Sequence, residues 1–197
     1  MYDRDYGTSP IQVKRYTSDQ ESYLKSFCDE MKSHGLDNWS SLERLKTDKI
    51  TYFVAYYKDT IVAINGLYAY DDNTWVVFAR QATLPKYFRL LVPVKKWGSG
   101  SISGVFLAMP SINYALENGA KSLIATVNLD NSAGHDNDRN NRHAERMLNM
   151  GLWEYDGMRI HNSVKQDVYI LNIENFKRFL NDLQDNPVRI RNENNRN

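Results

Sequence analysis

The sequence has a single cysteine, Cys28, and only four histidines, scattered from His34 to His161. One cysteine excludes an intramolecular disulfide and a cysteine-rich zinc site, and histidines so dispersed argue against a metal centre. Charge of one sign is missing too. Lysine and arginine number 25 against 24 aspartates and glutamates, a formal net charge of +1. No broad field therefore advertises a nucleic-acid or membrane partner. The opening MYDRDYGTSP lacks the apolar core of a signal peptide, and no apolar run approaches transmembrane length. The expected location is cytoplasmic.

What remains is an ordinary globular composition, 42% hydrophobic and 25% charged over 197 residues. That length can bury a sizeable core in one domain. With no internal repeat or linker, residues 1–185 read as a single domain. Residues 186–197, rich in asparagine and arginine, read as a disordered polar tail.

IQVKRY (11–16) alternates like a half-buried strand. Ser18-Asp-Gln-Glu21 has the spacing of a capping box, and Leu24, Phe27, Cys28 and Met31 recur at helical intervals up to a stop at Gly35. Ser40-Ser-Leu-Glu43 repeats the box before a shorter helix. ITYFVAYYK (50–58), TIVAINGLYAY (60–70) and TWVVFARQATL (74–84) read as an antiparallel meander joined at Lys58-Asp59 and Asp71-Asp72-Asn73. A helix is expected from about Ser101 to Asn118, kinked at Pro110. SLIATVN (122–128) is a buried strand and Asn140 to Met150 a helix. LWEYDGMRI and QDVYILNI are two more strands, and Phe176, Phe179, Leu180 and Leu183 stripe a last helix.

Three stretches in this order carry a resemblance to a known family. Thr83-Leu-Pro-Lys-Tyr87 ends the third meander strand. Gly98-Ser-Gly-Ser-Ile-Ser-Gly104 follows as a glycine-rich turn before a helix. SLIATVN then leads, through a polar run, to a helix ending at Gly151-Leu152. Over residues 50–171 the chain resembles the GNAT superfamily of acyl-CoA N-acyltransferases, including its phage-type members. The resemblance implies an α+β, three-layer fold: a mixed, mostly antiparallel sheet with splayed central strands flanked by helices.

It also implies acetyl-CoA as acyl donor and an amine acceptor, either a small molecule or a protein. On this pattern Gln81, Ala82 and Thr83 flank the thioester. Lys95, Gly98, Ser99, Gly100, Ser101 and Gly104 cradle the pyrophosphate, and Asn131 or Asn140 reaches the pantetheine. A glycine turn at a helix start suits phosphates, because backbone N–H groups converge at the positive end of the helix dipole. Read alone, such a turn is a flexible surface loop.

Three departures stand out. KYFRLLVPVKKW is inserted before the turn, Met147 occupies the position of the family's general-acid tyrosine, and residues 129–139 interrupt the last strand–helix junction as a polar lid. Glu154, Tyr155 and His161, on the strands that floor the acceptor site, are the candidates for proton transfer. Asp71 and Asp72 on a facing turn and His135 and Asp136 in the insertion are further candidates, none of the seven dominant, and an exposed or structurally hydrogen-bonded side chain is the plainer reading of each. Arg80 either faces outward by strand alternation or meets an anion. Trp75, Trp97 and Trp153 read as core aromatics before they read as stacking platforms.

The leading function is acetyl transfer to a primary amine. The alternatives are a GNAT-fold enzyme modifying nucleic acid or nucleotides, of the phage DNA-modification type, and a non-catalytic GNAT-fold binding protein. Charge does not indicate a nucleic-acid partner, no membrane partner is expected, and monomer and homodimer stay open.

Overall fold

The computed structural model describes residues 11–36, 42–47, 49–87, 90–94, 98–101, 103–128, 137–161, 164–184 and 191–192. β1 (Ile11–Arg15) leads through a 3-10 turn into α1 (Glu21–Ser33) and α2 (Leu42–Thr47). The capping box lies one residue earlier than the sequence suggests. Thr17 is the cap, and its N–H donates to Gln20 Oε1 at 3.2 Å. The meander follows as β2 (Thr51–Tyr57), β3 (Thr60–Ala69) and β4 (Thr74–Thr83). β2 and β3 are joined by Lys58 and Asp59, both left-handed at φ 47° and 59°. Such a pair matches the twist of the strands it connects.

Residues 90–94 of the inserted segment form a strand. β5 (Leu90–Val94) and β6 (Gly98–Ser101) pair antiparallel, and β10 (Arg191–Asn192), inside the expected tail, pairs with Leu90 and Leu91. The helix expected from Ser101 begins as a π turn, Ser103–Leu107, and continues as α3 (Ala108–Glu117). Pro110 sits in the first turn of α3 and not in mid-helix. Its missing N–H and bulky ring are tolerated where the wider π turn has already interrupted the regular ladder. β7 (Ser122–Asn128), α4 (Asn137–Asn149), β8 (Trp153–His161), β9 (Val164–Leu171) and α5 (Ile173–Gln184) complete the main body of the chain.

Seven strands form one sheet in the order β1-β2-β3-β4-β7-β9-β8, antiparallel except at β4 and β7. One face carries α3, α4 and α5. Phe106, Ile112, Ala144, Phe176 and Phe179 pack there on Phe53, Leu67, Val77 and Ala125. The opposite face of β2–β4 is covered by α1 and α2 through Leu24, Phe27, Cys28, Met31 and Leu45. The expected three-layer, mixed architecture with helices on both faces is what the chain adopts.

Candidate active site

β4 and β7 run parallel but pair over three positions only, Thr74↔Ser122, Trp75↔Leu123 and Val76↔Ile124. Beyond Val76 and Ile124 the strands continue to Thr83 and Asn128 with no ladder between them. The centre of the sheet is therefore a fork. At its vertex β4 carries a bulge, since the register against β3 jumps between Gly66 and Tyr68. Phe78 in this bulge is left-handed, φ 65°, and stacks on Trp153 with ring centroids 6.1 Å apart. A bulky residue with positive φ is strained, and such strain persists only where packing enforces it.

The direction of the β4 edge follows from its ladder with β3. Leu84 donates its N–H to the Val62 carbonyl at 2.8 Å, and Ala63↔Thr83, Ile64↔Ala82 and Asn65↔Gln81 are opposite. Antiparallel bonding alternates along a strand. Ala82, like Leu84, therefore spends its amide on β3, whereas the N–H groups of Gln81 and Thr83 turn into the fork. Of the three β4 residues expected to flank a thioester, Ala82 thus turns its N–H to the ladder, and its buried methyl packs beneath α1.

Polar side chains pin the start of the π turn and α3 to the sheet. Thr83 Oγ1 donates to Ser103 Oγ at 3.0 Å, both residues buried. Asn65, fully buried in the apolar run of β3, donates through Nδ2 to Ser111 Oγ at 2.7 Å, and Ser111 donates to the Leu107 carbonyl at 2.7 Å. Asn65 Oδ1 accepts nothing among the described residues. The sequence reading missed this network; a lone asparagine inside IVAINGLY was its only trace.

The glycine stretch does not form the expected turn at a helix start. Gly98, Ser99, Gly100 and Ser101 form β6, laddered to Val94, Pro93, Val92 and Leu91. Strand N–H groups point alternately to opposite sides, so they do not converge on one phosphate. Of that set only Gly104 lies at the start of the helical segment, beside the buried Ser103. Lys95 and Asn131 fall outside the described residues, as do Trp97, His135 and Asp136. Asn140 lies within the first turn of α4, not ahead of it, so it does not cap that helix. Residues 137–139 of the expected lid are likewise the start of α4.

The proton-transfer candidates are not brought together. Glu154 and Tyr155 are consecutive on β8 and so face opposite sides of the sheet. Glu154 is exposed and accepts a bond from Asn172 Nδ2 at 3.1 Å. Tyr155 is exposed and donates to Asp167 Oδ1 at 3.1 Å; that hydrogen bond raises its phenol pKa and keeps it neutral. His161 ends β8 opposite Val164, and its side chain is outside the described set. Asp71 is occupied in its turn, accepting the N–H groups of Asn73 and Thr74 at 2.8 and 2.7 Å. Met147 is half-buried against the core. Arg80 is half-buried opposite Gly66, on the face it shares with Ala82, so it does not point simply outward. Trp153 is buried and Trp75 half-buried edge-on to Tyr114, so these two are core aromatics.

The fold, with its sheet opened at one parallel junction, is similar to that of solved GNAT-family acetyltransferases. The chain matches an N-acetyltransferase from Staphylococcus aureus Mu50 at TM-score 0.55 and 14% identity, over 83% of this chain and 98% of that one. A GNAT-family acetyltransferase from Streptococcus pneumoniae matches at 0.51 and 13%, over 81% and 98%. The Salmonella typhimurium protein yncA, solved with its cofactor acetyl-CoA, matches at 0.52 and 9%, over 83% and 94%. No family model and no curated protein sequence matches the chain. No described helix is long and apolar enough to cross a membrane, and the described residues hold no cluster of metal-ligating side chains.

Proposed function

We propose that the chain is an acyl-CoA-dependent N-acyltransferase that takes acetyl-CoA as donor and an amine as acceptor. The observation that carries this reading is the fork, where two adjacent strands expose backbone edges to each other across a gap. A pantetheine arm is a chain of amides, and an unpaired strand edge offers it the donors and acceptors that a neighbouring strand would have used. The N–H groups of Gln81 and Thr83 would hold the donor's carbonyl oxygens, and the helical segment opening at Ser103 and Gly104 would face its phosphates. Bound acetyl-CoA supplies an acetyl group activated as a thioester.

The chain's own task is modest. It excludes a wrong orientation, offers an N–H to the oxygen that gains charge, and lets the acceptor amine shed its proton. Glu154, Tyr155 and His161 are not needed as one constellation, because a solvent-accessible amine can release its proton to water.

Calorimetric titration with acetyl-CoA tests this reading. Thr83→Pro removes one amide aimed into the fork while sparing the bonds to β3, and Thr83→Val removes only the hydroxyl. We expect the proline variant to weaken acetyl-CoA binding by roughly tenfold, the worth of one hydrogen bond to a desolvated group. The valine variant should stay within about threefold. No binding of acetyl-CoA to the native chain at millimolar concentration overturns the reading.

A further inference from the structure

β3 carries an asparagine where packing favours an apolar residue. Asn65 is fully buried, in a strand shielded from water from Ile61 to Leu67, and stands opposite Phe53 on β2 and Gln81 on β4. Its Nδ2 donates to Ser111 Oγ at 2.7 Å, but its Oδ1 accepts nothing among the described residues. A buried acceptor left unpaired loses the bond that water gave it and gains none in return. Asparagine is also a poor strand former, and valine a good one. Valine at this position would bury no polar end, and Ser111 would still donate to the Leu107 carbonyl. Stability therefore does not explain the residue.

The bond from Asn65 reaches a weak place in the helical segment. The π turn meets α3 near Pro110, which has no N–H to give the carbonyl four residues back. Ser111, the next residue, adds its hydroxyl to the Leu107 carbonyl, at the boundary between the two helical forms. Asn65 therefore holds the segment just past that boundary, while Thr83 holds its first residue, Ser103, at 3.0 Å. The two anchors come from neighbouring same-face rungs of the sheet, Ala63↔Thr83 and Asn65↔Gln81. These are the rungs whose β4 members turn their N–H groups into the fork.

We infer that Asn65 is a positioning residue for the acyl donor. Through Ser111 it sets where the opening of the helical segment stands relative to the Gln81 and Thr83 amides. The inference rests on the donor lying in the fork, where an acyl-CoA spans both places, its carbonyl oxygens at β4 and its phosphates at Ser103 and Gly104. A ligand held at two places gains from the second only if their separation matches its own length. Without the Asn65 bond the segment keeps its fold but spends less time in the matching place, and the apparent affinity falls by that fraction. A local rule broken inside a packed strand, with no gain in stability, is what a positioning role leaves behind.

The experiment takes Asn65→Val, Ser111→Ala and the double variant. Each is titrated with acetyl-CoA by calorimetry, melted without ligand and followed by amide hydrogen exchange. Asn65→Val should raise the Kd about tenfold, as a segment in place for about a tenth of the time would. Its Tm should rise or stay within about 4 °C of native. Exchange should quicken over residues 103–111 and not over β3 and β4. Ser111→Ala, which takes the partner from the Asn65 Nδ2, should raise the Kd as much and lower the Tm by about 3–8 °C. Because both residues act through one bond, the double variant should bind within about twofold of Asn65→Val. A larger fall of Tm in Asn65→Val marks Asn65 as ordinary packing and overturns the inference, as does unchanged exchange over residues 103–111. A native chain that binds acetyl-CoA, with Asn65→Val within about twofold of it, overturns the inference alone. A native chain that binds no acetyl-CoA overturns the donor reading and the role drawn from it.

Discussion

The two halves of the sheet differ in how they are clothed. β2 and β3 lie between helices on both faces, and seven consecutive residues of β3, Ile61–Leu67, are buried. β9 has helices on one side only: Tyr169 and Leu171 are buried there, while on the other face Ile170 is exposed and Val168 is buried in a small separate cluster with Val76 and Ile124. Covering both faces turns a strand into a continuous apolar run, and covering one leaves the residues of the other face available. The first half is scaffold, and the fork lies at its border with the second. The difference teaches where substitutions disturb the core and where they do not.

The comparison breaks most visibly at a large side chain of the clothed half. Phe53 is fully buried, so Phe53→Ala should lose about 3–5 kcal/mol. Ile170→Ala, on the uncovered face, should lose less than about 1 kcal/mol, since its side chain already meets water. Urea denaturation of both variants measures the contrast. Equal losses would mean that the two halves are packed alike.

A finer probe is Gly66, where a Cβ would come within 2.7 Å of Ile50 Cγ2 and 2.9 Å of Tyr52 Cε1. Gly66→Ala should cost about 1–3 kcal/mol through overpacking under α1 and α2. A stability within a few tenths of a kcal/mol of native would show that Ile50 and Tyr52 have room to move.

The smallest effect is at the turn where β3 passes to β4. Backbone bonds from Asn73 and Thr74 hold the Asp71 carboxyl below its ordinary value of 3.8, the Asn73 bond contributing most. A lowered native pKa means stability that is present above the unfolded value and lost as pH falls through the native one. Asp71→Asn should therefore be slightly less stable than native at about pH 7, with the gap closing as pH falls below about pH 4, so that its own decline in acid is shallower. Melting curves at both pH values check it, and an unchanged acid slope would place the carboxylate's bonds outside the folding balance.

Much of the scaffold was legible because local rules and tertiary packing agree there. The run SLIATVN is β7 as expected, and the Leu24-Phe27-Cys28-Met31 stripe is the buried face of α1. The site was less legible. Glycine spacing at 98–104 suggested a turn, but the KYFRLLVPVKKW insertion supplies a partner strand, and glycine accepts extended geometry as readily as a turn. Glu154 and Tyr155 looked like neighbours in one site because they adjoin in sequence, which on a strand places them on opposite faces.

The sequence by itself determined the absence of an intramolecular disulfide and, outside β5, β6 and β10, the order of strands and helices, since these depend on near neighbours and composition. Tertiary structure alone decided that β4 and β7 part after Val76 and Ile124, and that Asn65 meets Ser111 and Thr83 meets Ser103. Those four residues belong to four elements, and nothing local relates them. Their meeting depends on strand pairing across long chain separations, which the register of the whole sheet sets.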